Sequence, residues 1–275
     1  MDKEIIINTH KKVGLALGSG GVRGLAHIGV IRTLLQHHIP INCISGSSIG
    51  AWIGAHYSLY TDIKKSEEYT TGKKKEKLYS FLEPTISGGL VKGQKIELML
   101  DQWLDGSSFD DLKIPLKVAA TDFLNGSKVS FDQGKLSTIL HASMAVPGIF
   151  KPVIIDDKVL IDGGVSNPVP VDLAQELGAD IVIAVNLDYY AGFNKISQKS
   201  ISYGNVADGA VRIMRHYLAL SACQNADFII QPDLQRFSSW TSYFSKNNNN
   251  DEIIRLAAEE TEKIIPALKD LLQDE

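Results

Sequence analysis

Two serines stand side by side in Gly46-Ser47-Ser48-Ile49-Gly50. A serine hydroxyl attacks a carbonyl when the backbone lifts it clear of its neighbours and a base stands beside it. The flanking residues address the first condition. Ile41-Asn42-Cys43-Ile44 is an apolar, β-prone run, and Ala51-Trp52-Ile53-Gly54-Ala55 continues as a helical pattern. A strand that turns sharply into a helix presents the central residue of a Gly-x-Ser-x-Gly pentapeptide. Small residues are needed two places before and two after it, because the chain passes close to itself there. Ser48 has Gly46 and Gly50 at those places, whereas Ser47 would have Ser45 and Ile49. The frame therefore selects Ser48 as the candidate nucleophile. A glycine-rich turn without chemistry is the competing reading, and the pentapeptide alone does not separate the two.

A second stretch offers anion binding. Gly18-Ser19-Gly20-Gly21-Val22-Arg23-Gly24 lies between the β-type run Val13–Leu17 and a helix expected from Leu25 to His38. Such a loop holds unpaired N–H groups beside the positive end of a helix dipole. One possible anion is a pyrophosphate. That fingerprint wants a glycine where Arg23 stands, its third glycine falling one place late at Gly24, and Ile41-Asn42-Cys43 carries no acid for a ribose. The other anion is the oxyanion formed when Ser48 attacks a carbonyl. Gly20, Gly21 and Val22 are the candidate donors and Arg23 a brace for the loop. Loops following neighbouring strands of a parallel sheet open at the same edge, where sites in such folds lie.

The base is less obvious. An α/β-hydrolase orders its triad Ser, then acid, then His. After residue 162 the only histidine is His216, which sits mid-helix and reads as a surface residue. His27, just inside the first helix, reads as structural. Asp162 remains, between an apolar strand and Gly163-Gly164. An Asp-Gly-Gly is either a turn or the site of a carboxylate base, and an ordinary Asp is a weak base unless burial raises its pKa.

The elements that must position these residues alternate. Strands are expected at Val13–Leu17, in the run from Ile41 up to the Gly46–Gly50 pentapeptide, and at Leu116–Ala120, Lys128–Phe131, Val153–Ile155, Val159–Ile161, Ile181–Val185 and Phe228–Ile230. Asn125-Gly126 and Asp156-Asp157-Lys158 read as hairpin turns. Helices are expected after the elbow to about Tyr60, at Leu136–Met144, Val169–Leu177 and Val206–Cys223, and at Asp251–Leu272 with a kink at Pro266. The first helix places Leu25, Ile28, Ile31, Leu34 and Leu35 on one face. Residues 61–112 read as polar helices over one side of the core, broken at Ser87-Gly88-Gly89, with Lys64-Lys65 and Lys73-Lys74-Lys75 as solvated faces. Alternation of this kind predicts a mostly parallel sheet covered on both faces. With no repeat or linker, the 275 residues are expected to form one domain.

Several of these stretches resemble one family. Gly14 to Val30, Gly46 to Gly50 and Asp162-Gly163-Gly164 are similar to the opening, elbow and acidic motifs of the bacterial patatin-like phospholipases, the branch related to neuropathy target esterase. Ser143 to Pro152 and Asn167-Pro168 resemble further blocks of that family. The likeness covers about residues 13 to 187, leaving 188–275 as a C-terminal extension. It implies a three-layer α/β fold, a mostly parallel sheet flanked by helices, and a Ser48–Asp162 dyad without histidine. It also implies Gly20, Gly21, Val22, Arg23 and Gly24 as an oxyanion loop, and hydrolysis of acyl esters in phospholipids, lysophospholipids or neutral lipids. Ser19, Val22 and Ser47 replace residues the family more often has as glycine, alanine and threonine. Of these, Val22 is the one expected to narrow acyl acceptance.

Composition sets outer bounds. A net charge of -4 gives no reason to expect nucleic acid or a strongly anionic membrane as a partner. Cys43 and Cys223 lie in no metal spacing, so neither a metal nor a disulfide framework is expected, and no cofactor is implied. Met1-Asp2-Lys3-Glu4 does not open a signal peptide, and no run approaches the ~20 apolar residues of a membrane span. A cytoplasmic protein, at most peripheral to a membrane, is expected, with its oligomeric state open. Phe237, Trp240, Tyr243 and Phe244 are read as core cover, with insertion into a lipid interface as the alternative. Two other functions stay open: a non-catalytic regulator on the same scaffold, and a nucleotide-binding protein.

Overall fold

The computed structural model describes residues 10–72, 83–85, 88–190, 203–237 and 249–273. Lys73 to Lys75, Ser87, Trp240, Tyr243 and Phe244 lie outside them. The strands are β1 Val13–Leu17, β2 Cys43–Ser47, β3 Leu116–Asp122, β4 Lys128–Phe131, β5 Val153–Ile155, β6 Lys158–Asp162, β7 Ile181–Val185 and β8 Phe228–Ile230. The α-helices are α1 Ala26–Gln36, α2 Ile49–Tyr60, α3 Ile63–Thr71, α4 Gln94–Trp103, α5 Leu136–Ser143, α6 Val171–Glu176, α7 Tyr203–Ala222, α8 Asn250–Glu262 and α9 Ile265–Gln273.

The strands form one sheet in the order β5-β6-β3-β2-β1-β7-β8, with β4 also paired to β3. From β3 to β8 the neighbours along this order are parallel. The pairings of β4, β5 and β6 are antiparallel. The expected mostly parallel sheet flanked by helices is thus present, with an antiparallel margin made by two hairpins.

Alternation along the strands sorts the two faces. Leu15, Leu17, Ile44, Val118, Ile181 and Ile183 join the main core with side chains of α1, α2, α4, α8 and α9. The opposite face is made of small residues. Ala16, Val182 and Ala184 pack with Val171 and Ala174 of α6 and Ala219 of α7. Gly14 is required on that side: a Cβ there would lie 2.5 Å from Ala179 Cβ. Large residues on one face and small ones on the other give three layers.

Local chemistry adjusts several boundaries. Gly21–Leu25 is a 3-10 turn, so α1 begins one residue after Leu25 and ends at Gln36. Leu35 is 37% exposed rather than part of the buried stripe. The β5–β6 turn needs only Asp156 and Asp157, both at positive φ (46° and 63°), and Lys158 already pairs with Ile155. The C-terminal helix does not kink at Pro266 but ends at Glu262 and restarts at Ile265. A residue before proline is disfavoured in the helical region, while proline in a first turn lacks only an N–H that would be unpaired anyway.

Candidate active site

The elbow forms at the C-terminal end of β2. Ser48 takes φ 55° and ψ −121°, a conformation that costs a non-glycine residue roughly 1–3 kcal/mol and persists only where its surroundings enforce it. They do so at three points. A Cβ on Gly46 would lie 2.5 Å from Ala51 Cα, and one on Gly50 would lie 2.1 Å from the Leu17 carbonyl oxygen. Ser48 N–H donates to Ser143 Oγ at 2.9 Å, and Ser143 Oγ donates to the Ala119 carbonyl at 2.7 Å. Ser47 Oγ is buried with no hydrogen-bond partner among the described residues.

Sheet register brings the acid to the serine. On β3, Ala119 is opposite Ser47 of β2, and the next residue, Ala120, is opposite Asp162 of β6. The ends of the two strands therefore meet beside one segment of β3, although 114 residues separate Ser48 from Asp162. Ser48 Oγ donates to Asp162 Oδ2 at 2.5 Å, and Gly164 N–H donates to Oδ1 at 2.7 Å. Asp162 is buried at 3% exposure. That burial pushes its carboxyl above the ordinary range, against the opposing pull of the Ser48 hydroxyl, the Arg215 charge and the Gly164 N–H.

The glycine loop lies next to this pair. Ser19 N–H donates to the Pro168 carbonyl and Arg23 N–H to the Gly20 carbonyl. Among the described residues, none accepts a hydrogen bond from Gly20, Gly21 or Val22 N–H. Arg23 is held by its side chain. Its Nη2 meets Asp188 Oδ1 at 2.7 Å, Nη1 donates to the Leu187 carbonyl at 2.5 Å, and Nε donates to the Gly20 carbonyl at 3.2 Å. Gly24 lets the loop approach the elbow, because a Cβ there would lie 2.1 Å from Ile49 Cγ1. The Arg23 N–H is thus engaged within the loop, and Gly24 packs directly on the elbow.

Residues without a motif complete the surroundings. Asp188, just beyond β7, receives Arg23 and also Arg215 of α7, whose Nη2 lies 2.7 Å from Oδ2 and 3.0 Å from Ser19 Oγ. Burial disfavours the Asp188 carboxylate, yet the charges of Arg215 and Arg23 hold its pKa below the usual value. One local signal points to Asp188, an acid following the buried strand at the edge where sites form. Arg215 carries no such signal, since its role arises from packing, and Ser143 is marked only as the first residue of a family-like block.

Histidine plays a different part from that in a hydrolase triad. His27 is buried, its Nε2 lies 2.7 Å from the Gly18 carbonyl, and burial lowers its pKa to about 4. It supports the loop as a neutral ring. His216 is not on the surface as expected. It is buried, with Nδ1 3.0 Å from the Asp188 carbonyl, because this side of α7 rests on the segment after β7. His141 lines the cavity described below, and burial lowers its pKa as well.

A cavity of about 290 Å³ opens over Ser48. Its polar end holds Ser48, Asp162, Gly20, Gly21 and Arg23, and its mainly apolar walls include Ile49, Trp52, Leu100, Trp103 and Phe150 beside the polar Thr70, His141 and Tyr190. A reactive polar end under apolar walls suits an ester whose acyl part is a hydrocarbon. No group of three or more metal-binding side chains occurs among the described residues.

A model of the family described as patatin-like phospholipase matches residues 15–174. The chain belongs to that family. The matched span lies within the residues whose motifs carry the resemblance. An uncharacterized NTE family protein of Mycobacterium bovis is 35% identical over 178 residues, covering 64% of this chain and 49% of its own. Lysophospholipase nte1 of Aspergillus fumigatus is 27% identical over 246 residues, 87% of this chain and 15% of that protein. The chain thus spans half or less of the length of these patatin-like relatives. The structure of VipD from Legionella pneumophila superposes with a TM-score of 0.62 at 13% identity, covering 94% of this chain and 67% of that one, which shows a shared fold.

Proposed function

We propose that this protein is a serine acyl hydrolase acting on lipid acyl esters, with Ser48 as nucleophile and Asp162 as base. The observation that carries this reading is the Ser48 Oγ to Asp162 Oδ2 hydrogen bond of 2.5 Å at the polar end of an apolar cavity. Asp162 takes the hydroxyl proton as Oγ attacks the ester carbonyl. The resulting oxyanion accepts from the N–H groups of Gly20, Gly21 and Val22, with Arg23 and Asp188 holding the loop in place. Collapse expels the alcohol, which takes the proton back from Asp162 and leaves Ser48 acylated. Water then attacks the acyl-enzyme, giving its proton to Asp162, which returns it to Ser48 Oγ as the acyl–oxygen bond breaks and the free acid leaves. Burial of Asp162 compensates for the weakness of a lone carboxylate as base. The substrates that fit are phospholipids, lysophospholipids and simpler carboxylic esters, their acyl parts against Trp52, Leu100 and Trp103. The family and the relative named lysophospholipase support that class.

Ser48→Ala and Asp162→Asn are expected to lower p-nitrophenyl ester and lysophosphatidylcholine hydrolysis by at least about 10³-fold while circular dichroism stays unchanged. A fluorophosphonate probe is expected to label the wild type and not Ser48→Ala. Full activity in either variant sinks the dyad. A folded wild type that neither hydrolyses esters nor takes the probe would favour a regulator built on this scaffold.

A further inference from the structure

Helix α7 turns several apolar side chains outward. Val206, Ile213, Met214 and Tyr217 are 56%, 42%, 63% and 64% exposed, while Ala219 and His216 face the protein. Their spacing, together with Ala210, follows i, i+3, i+4 and i+7, so they form one continuous stripe. From Gly209 to Ala222 the helix carries no acidic residue. A contiguous exposed apolar stripe on a soluble protein marks an interaction surface.

Two observations say what it meets. The stripe is continuous with the cavity mouth, because Val211 is 50% exposed and also lines the cavity over Ser48. Arg212 and Arg215 line the same cavity from the same helix, Arg215 paired there with Asp188, so basic side chains stand where apolar surface gives way to the site. An apolar stripe edged by arginines matches the boundary of a bilayer, with acyl chains inside and phosphates at the level of the headgroups.

We propose that the exposed face of α7 docks on a phospholipid bilayer and sets the cavity mouth against it, so that a lipid passes from the membrane to Ser48 without crossing water. This rests on reading the cavity as a lipid acyl-ester site, and the test separates the two. The full chain carrying Ser48→Ala, which leaves the bilayer intact, is floated with phosphatidylcholine vesicles with and without phosphatidylglycerol. The same chain with Met214→Ser and Tyr217→Ser, neither of which lines the cavity, is the comparison.

Binding to both vesicle types is expected, with stronger binding to the anionic ones. The two serine substitutions are expected to weaken it about tenfold. In the active background they are expected to slow hydrolysis of vesicle lipid and to leave that of a dissolved short-chain ester unchanged. Equal binding with and without the substitutions overturns the proposal. So does sedimentation showing that the stripe joins two copies of the chain, with the substitutions yielding a monomer. If vesicles bind through α7 but no ester is cleaved, the docking surface stands and the hydrolase reading falls.

Discussion

At the scale of single residues, the demand falls on Asp162. A carboxylate serving as the only base of a serine is effective when it is buried and unprotonated at once. Burial raises its pKa and Arg215 lowers it. On the proposed dyad only the ionised form accepts the Ser48 proton, so hydrolysis should fall as pH drops through the Asp162 pKa, above the ~3.9 of an ordinary Asp. Arg215→Gln removes the lowering charge, so it is expected to move the acid limb of kcat/KM to higher pH, and Arg215→Lys to move it back. A pH–rate profile of the three proteins checks this, and an unmoved limb would show that Arg215 only packs. Ser48 and Asp162 are legible as candidates because each sits in its own short motif. Arg215 is not, because it reaches the site from the middle of α7, while Asp188 and Ser143 carry only weaker signals, an acid after a buried strand and the first residue of a family-like block.

At the scale of elements, the elbow depends on β1, β2 and α2 fitting without spare room. Gly50 meets the Leu17 carbonyl, which is backbone and cannot rotate away. Gly50→Ala is therefore expected to cost more than about 3 kcal/mol, beyond ordinary overpacking, and to leave little folded protein. Urea unfolding would measure it, and a loss under 1 kcal/mol would show that the strand and helix can separate. Elements themselves are readable from the chain: the sheet strands appear where apolar runs and turn residues place them. What escapes is the side a residue faces. Leu35 and His216 exchange their expected surroundings because partner packing, not helical period, decides burial. Pro266 is visible, but whether it bends a helix or starts another depends on what α8 and α9 rest on.

At the scale of the molecule, residues beyond the family match pack on the matched part. Helix α8 lies on α1, and a Cβ on Gly29 would come 2.2 Å from the Ile254 carbonyl. Ile253, Ile254, Ile265, Leu268 and Leu272 are buried in the main core. On this packing we propose that the segment from 188 onward belongs to the same folding unit. At roughly 1.5–3 kcal/mol for each such side chain, its loss rivals the ~5–15 kcal/mol that holds a typical domain. A chain ending at residue 248 is expected to lose cooperative thermal unfolding and to bind a hydrophobic dye. A sharp transition near that of the full chain would show that α1 needs no cover. This dependence is hard to read in the sequence because an amphipathic helix declares an apolar face without declaring its partner.

The meeting of Ser47 and Asp162 beside neighbouring residues of β3 also governs when the site comes into being. A slip of one residue in the β6 hairpin would turn Asp162 to the other side of the sheet and shift it by about 3.3 Å. The serine and its acid are thus strangers in the unfolded chain and are introduced only by a completed strand. On the proposed dyad, a chain with its elbow made but β6 unpaired would lack its base and be inert toward an ester.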